Sequence, residues 1–248
     1  MRQVLRLSLP NRAQTFLNNR RLVADQRREL GTLDIGREWK SARQTRAMGA
    51  ALKTLQQMMG VRERCMYCVD SHGADIDHFR PKGNYPGHAF EWSNMLLCCT
   101  ECGRFKGSQF PMAHGAALLL DPTAEDPWQH IDFDPDTGNL TARFDVDVAD
   151  WSIKGAKTVE VLKLDRREAL AAGYVKSYRR LTDIVKASFA SLTAGAMTAA
   201  ALMAALIEAD DHGLLGWCFG SIGRAFAPFS DLHRECPRVW EDCLLAVP

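Results

Sequence analysis

Four cysteines are spaced to hold one metal ion. Cys65-Met-Tyr-Cys68 and Cys99-Thr-Glu-Cys102 are two Cys-x2-Cys knuckles separated by 30 residues. Such a pair brings four thiolates around one tetrahedral zinc, because each two-residue gap lets both sulfurs of a knuckle face the same side. Five of the eight cysteines fall between Cys65 and Cys102, whereas small buried hydrophobes would scatter. Cys98 is an alternative to Cys99, and two redox dithiols or plain core packing are the alternatives to zinc. Cys218, Cys236 and Cys243 read as core residues.

Between the knuckles lies Asp75-Ile76-Asp77-His78-Phe79-Arg80-Pro81-Lys82. In an extended strand Asp75, Asp77 and Phe79 share one face and Ile76, His78 and Arg80 the other, and Pro81 stops the pairing. A carboxylate and an imidazole are therefore adjacent at a strand end. Taken alone, the pair reads equally as a turn cap and a buried histidine bonded to a carbonyl. After a loop with Gly83, Pro86 and Gly87, Ser93 or Asn94 is expected to begin a short helix that Gly107 ends.

The arrangement Cys-x2-Cys, Asp77-His78, Asn94, Cys-x2-Cys and Lys106-Gly107 resembles the zinc-stapled HNH nucleases over Cys65 to Pro111. Trp39-Lys40, the string His78 to Lys82 with Tyr85-Pro86, and Leu120-Asp121-Pro122 extend the resemblance to the HNH subunit of Septu-type and retron-associated antiphage systems, a PtuB-like family. The resemblance implies a ββα-metal core that hydrolyses phosphodiesters. His78 is then the general base, Asp77 holds a catalytic Mg²⁺ or Mn²⁺, and Asn94 orients His78. Arg80, Lys82, Arg104 and Lys106 contact substrate phosphates, and Cys65, Cys68, Cys99 and Cys102 hold structural Zn²⁺. The implied partners are nucleic acid, DNA favoured over RNA, and an SMC/ABC-like ATPase subunit of the PtuA type. This chain has no Walker-type phosphate loop of its own.

One position departs from the family pattern. The residue after the last zinc cysteine, an Asn or His in the family and the second protein ligand of the catalytic metal, is Gly103. Three readings stay open: Asn84, His88 or His114 supplies the ligand; Asp77 holds the ion with water and substrate phosphate; or catalysis is weakened. In the last case the chain is a nucleic-acid-binding or partner-docking module.

The rest of the chain must position these residues. Of 248 residues, 46% are hydrophobic and 25% charged, the profile of a globular protein able to bury its own core without disulfides. Arg6 breaks the first apolar run, and the longest weakly polar stretch, 194–207, is too short for a span, so a cytoplasmic location is expected. The net charge of +1 hides an asymmetry: residues 1–64 carry 14 Lys or Arg against 5 acids, and residues 121–150 carry nine acids and one Arg. The basic segment is either a solvated face or an arm along nucleic acid or a partner.

Apolar spacing predicts helices from Ala13 to Arg28 and from Trp39 to Met59. Asp136-Thr137-Gly138-Asn139 predicts a hairpin turn between Ile131–Phe133 and a strand from Leu140 to Val148. Asp165-Arg166-Arg167-Glu168 has the form of a capping box before a stripe from Leu170 to Phe189, and Thr193 to Glu208 is an Ala-rich helix. His72, His130, His212 and His233 read as structural or surface residues. The expected fold is α+β and predominantly helical, a zinc-stapled ββα-metal (HNH) core embedded in a helical scaffold. Its expected parts are a basic helical segment at 1–60, the core at 61–125, and a hairpin with helices at 126–248.

Overall fold

A computed structural model describes residues 1–247. The described residues are about half helical, with four small two-stranded antiparallel sheets among them. It divides into two units, residues 4–67 with 71–123, and residues 1–3, 68–70 and 124–247.

In the first unit, α1 (Asn11–Glu29), α2 (Ile35–Ala42) and α3 (Arg46–Met58) precede the first knuckle. The single helix expected from Trp39 to Met59 is two helices. Asp34 caps α2 by accepting from Arg37 N–H, and Thr45 caps α3 by accepting from Met48 N–H, so each start has its own side-chain acceptor for an orphan amide. Helix α1 buries only Ala13, Leu17 and Ala24. Its cations are mostly paired within the unit. Arg20 and Arg27 both reach Glu38, Arg21 bonds Glu91 at 2.9 Å, and Arg28 bonds Asp25 at 3.1 Å. Four of the five arginines of α1 are thus ion-paired, two of them sharing Glu38.

Strand β1 (Asp75–His78) pairs antiparallel with β2 (Met95–Cys98), placing Asp77 opposite Leu96 and His78 opposite Met95. The helix expected from Ser93 or Asn94 does not begin there. Residues 92–94 form one 3₁₀ turn, and Met95–Cys98 is wholly buried as a strand. Short, fully apolar runs do not distinguish strand from helix by period. The helix is α4 (Thr100–Lys106), capped by Cys99, whose sulfur accepts from Cys102 N–H at 3.4 Å, and it ends at Gly107 with φ +48°. A minimal hairpin, β3 (Met112–Ala113) and β4 (Ala116–Ala117), follows.

In the second unit, β5 (Ile131–Phe133) pairs with β6 (Leu140–Ala142) through the expected turn. Gly138 is required there twice over: its φ is +78°, and a Cβ would lie 2.1 Å from the Ala171 carbonyl oxygen. The second strand stops at Ala142, and a separate hairpin, β7 (Phe144–Asp145) with β8 (Asp150–Trp151), follows. Helix α5 (Ile153–Leu162) leads into α6 (Glu168–Thr193), whose N-cap is Arg167 with no side-chain bond. The capping box read at Asp165 is thus not formed. Leu170, Tyr174, Leu181 and Val185 of the stripe are buried.

Helix α7 (Ala199–Ala209) starts later than the composition implied, at the Thr198 cap. Helices α8 (Leu215–Gly220), α9 (Phe229–Glu235) and α10 (Pro237–Leu245) close the unit. Its core holds Trp128, Tyr174, Trp217, Phe219 and Phe229 together with Cys218 and Cys243. His212 is buried with both ring nitrogens bonded, to Ser177 at 2.7 Å and Asp70 at 3.2 Å, as a structural histidine requires. Among the described residues no helix is long and apolar enough to cross a membrane.

Candidate metal centre and the Asp77–His78 site

The donor atoms of Cys65, Cys68, Cys99 and Cys102 all lie within 4.8 Å of one another, and all four residues are buried. Sulfurs 2.3 Å from a tetrahedral zinc stand roughly 3.8 Å apart, so the group fits that ion. Cys98 is excluded from it, because its thiol points to the Cys99 carbonyl oxygen at 3.1 Å. The knuckle backbone is fixed locally: Met66 N–H donates to Leu97 O at 2.9 Å, and Cys65 N–H donates to Ser71 O at 2.8 Å. The first knuckle thus lies along β2.

That placement brings Tyr67, from inside the knuckle, to Asp77. Its hydroxyl donates to Asp77 Oδ2 at 2.7 Å, and Lys106 Nζ lies 2.9 Å from the same oxygen. Tyr67 stays a phenol, because burial, then the Asp77 charge, holds its pKa well above 10. Lys106 is wholly buried and also donates to His78 O at 2.6 Å. This corrects the assignment of Lys106 to substrate phosphate, because its amine is committed inside the fold, where no phosphate reaches it. Arg80, Lys82 and Arg104 remain at or near the surface, and among the described residues none has an ion-pair partner. The guanidinium of Arg80 lies 6.0 Å from the ring of Phe110, and that of Arg104 lies 5.8 Å from the ring of Phe105.

His78 is 4% exposed. Its Nε2 sits 2.9 Å from Ala89 O, which assigns the proton to Nε2 and leaves Nδ1 as the nitrogen with a lone pair. Trp39 packs edge-on against the ring at 4.3 Å between centroids. Burial lowers its pKa from 6.5 to about 3, the charges of Lys82 and Lys106 push the same way, and the Ala89 bond opposes them. The imidazole is neutral at pH 7.

Asn94, also buried, does not touch the ring. It accepts from Arg80 N–H and donates to the Arg80 and His88 carbonyls, fixing the segments on either side of His78 and Ala89.

At Gly103 a Cβ would meet only Cys98 Sγ at 3.4 Å. Of the residues considered in its place, His88 is bonded through Nδ1 to Glu91 at 2.6 Å, and Asn84 and His114 are exposed, His114 in the β3–β4 turn. Among the described residues, the four cysteines are the only group of three or more His, Cys, Asp or Glu gathered as metal donors. Asp77 therefore offers a hard cation one uncommitted oxygen, Oδ1, on a side chain 15% exposed. Mg²⁺ keeps several waters and is often bound by one or two carboxylates plus substrate phosphate, so this minimal set fits it only with those additions.

Sequence reasoning did not find Tyr67, the edge contact of Trp39, or the inward turn of Lys106. Tyr67 was legible only as the residue preceding a knuckle cysteine.

No family model matches the chain. It is 32% identical over 137 aligned residues to Septu protein PtuB of Bacillus mycoides (strain KBAB4), covering 42% of this chain and 44% of that protein. It is 28% identical over 112 residues to Septu protein PtuB of Bacillus thuringiensis, covering 43% and 38%. The chain thus spans less than half the length of the curated relatives it matches, and it is a distant relative of the Septu PtuB proteins.

Proposed function

We propose that this chain is a metal-dependent HNH-type endonuclease that hydrolyses nucleic-acid phosphodiester bonds in a Septu-type antiphage defence system, with an SMC/ABC-like, PtuA-like ATPase as partner. The observation that carries the reading is the imidazole of His78. It is neutral, held by Ala89 O at Nε2, and leaves Nδ1 to take a proton beside a carboxylate on the strand–strand–helix frame that the four cysteines staple.

In this reading His78 Nδ1 removes the proton of the attacking water as its oxygen bonds to phosphorus and the bond to the 3′ oxygen breaks. Trp39 and Asn94 keep the ring and its flanking backbone in one geometry, which contributes because a base displaced by about one ångström loses much of its effect. Asp77 would hold a divalent cation through Oδ1. When bound, such an ion supplies Lewis-acid neutralisation of charge at the phosphate. Arg80, Lys82 and Arg104 meet neighbouring phosphates, contacts that position the strand without reading its bases.

The test is cleavage of plasmid DNA and of a tRNA mixture with Mg²⁺ or Mn²⁺, by the wild type and His78→Ala, each alone and with the partner ATPase. Cutting that His78→Ala abolishes supports the reading and identifies the substrate. Cutting that His78→Ala retains overturns it.

A second reading has its own observations. Gly103 has no side chain, and the free oxygen count at Asp77 is reduced by Tyr67 and Lys106, which favours a nucleic-acid-binding or docking module without catalysis. Binding without cutting in every combination supports that reading.

A further inference from the structure

We infer that Lys106 acts as a built-in counter-cation that makes divalent-metal binding at Asp77 conditional on nucleic acid. The inference rests on the proposed role of Asp77 as the ligand of the catalytic ion.

The argument begins with charge. Lys106 Nζ stands 2.9 Å from Asp77 Oδ2, and its other partner is the His78 carbonyl at 2.6 Å. The amine is wholly buried and the carboxylate is 15% exposed, and screening between partly buried groups is weaker than at the surface. Asp77 and Lys106 together present no net charge to an arriving cation. The oxygen left over, Oδ1, belongs to a carboxylate whose charge is already matched, and the ammonium repels a second positive ion.

Position 103 is glycine, and among the described residues no group of three or more His, Cys, Asp or Glu donors includes Asp77. Nor can the carboxylate turn to offer both oxygens, because Tyr67 OH, fixed inside the zinc knuckle, holds Oδ2 at 2.7 Å. A phosphodiester would bring the missing negative charge and oxygen ligands. Lys106 and Tyr67 are positioning residues: they act on the metal through Asp77 and keep its site weak until the strand is seated.

The test is the affinity of the zinc-loaded full chain for Mn²⁺, read from the electron paramagnetic resonance signal of the free ion. Without nucleic acid, Lys106→Met is expected to bind Mn²⁺ at least about tenfold more tightly than the wild type, since the repelling charge is gone. Lys106→Arg should remain weak, and adding Asp77→Asn to Lys106→Met should abolish the gain. Equal affinities in wild type and Lys106→Met, or weaker binding in Lys106→Met, overturn the inference.

If Lys106→Met does not fold, judged by zinc content and thermal melting, the wild type carries the test. A short DNA duplex should tighten its Mn²⁺ affinity at least about tenfold beyond the ion uptake of the same duplex with Asp77→Asn, and no tightening overturns the inference. These readouts need no cleavage, so the nuclease reading fails on the cleavage assay and this inference on Mn²⁺ affinity alone.

Discussion

The side-chain amide of Asn94 pairs with the peptide of Arg80 in both directions. Its Oδ1 accepts from Arg80 N–H at 2.7 Å and its Nδ2 donates to Arg80 O at 3.1 Å. The same Nδ2 donates to His88 O at 3.0 Å, and the Asn94 carbonyl accepts from Phe79 N–H at 2.9 Å. One residue thus continues the β1–β2 ladder past its end and ties down the residue before Ala89, whose carbonyl holds His78. Asn94 acts on His78 through this backbone rather than by a bond of its own to the ring.

Replacing Asn94 by Ala strands the Arg80 N–H in partly buried surroundings and is expected to destabilise the protein by about 1–3 kcal/mol. Asn94→Asp is expected to be worse at neutral pH. The carboxylate still accepts from Arg80 N–H but faces the Arg80 and His88 carbonyls without a donor. Denaturant midpoints would rank wild type above Asn94→Ala above Asn94→Asp; an Asp variant as stable as wild type would remove the two-way pairing from the account.

Metal content separates the two adjacent cysteines. Cys99 belongs to the four-sulfur group and caps α4, while the Cys98 thiol is turned to a carbonyl. One zinc per chain is expected in the wild type and in Cys98→Ser, and a fraction of that in Cys99→Ser. Stripping zinc with a chelator should unfold the knuckle region, because a structural site contributes its binding energy to folding. Metal analysis of the purified variants checks this, and full zinc occupancy in Cys99→Ser would reassign the ligand.

The knuckles were legible in the sequence because thiolate spacing is a local property of chain geometry, and the four sulfurs do converge. The neighbouring positions of Asp77 and His78 at a strand end were legible for the same reason. Lys106 was misread because a lysine beside a glycine at a helix end resembles a surface cation. Its inward turn shows only in its long-range bonds, to Asp77 and to the His78 carbonyl. Residues 95–98 were assigned to a helix because four consecutive apolar residues have no period to read. The split of 39–59 was carried by Thr45, a cap signal inside an otherwise helical pattern.

Gly103 has room for a side chain at its root: a Cβ would meet only Cys98 Sγ, at the 3.4 Å margin of ordinary contact. Gly103→Asn is therefore expected to fold, to keep its zinc, and to gain only about 0.3 kcal/mol of helix stability, since glycine costs roughly 1 kcal/mol against alanine in a helix interior and asparagine most of that. If Asp77 is the ligand of a divalent ion, the added carbonyl should also strengthen Mn²⁺ binding, because it supplies a further oxygen ligand. Thermal melting and Mn²⁺ titration measure the two effects separately. A Gly103→Asn protein that folds but shows unchanged Mn²⁺ affinity would place the ion elsewhere than between α4 and Asp77.

Acid should weaken the fold through His78 in a defined window. The ring has a pKa of about 3 in the folded protein, lowered first by burial, against 6.5 when exposed. Between those values the unfolded chain binds a proton that the folded chain refuses, so stability rises with pH there. The contribution is complete above pH 6.5, is lost progressively as pH falls toward about 3, and changes no further below that. The slope is at most about 1.4 kcal/mol per pH unit for one proton. His78→Gln keeps an amide donor for Ala89 O but does not titrate, so its unfolding free energy should be flatter between pH 6.5 and 4.5. The cysteine thiolates also take up protons in acid, and the charge-transfer band of the Co²⁺-substituted protein reports their loss independently. Where that band is intact, a wild type whose acid slope equals that of His78→Gln would show that the imidazole is charged or solvated in the folded state, and would remove the neutral base from the proposed reaction.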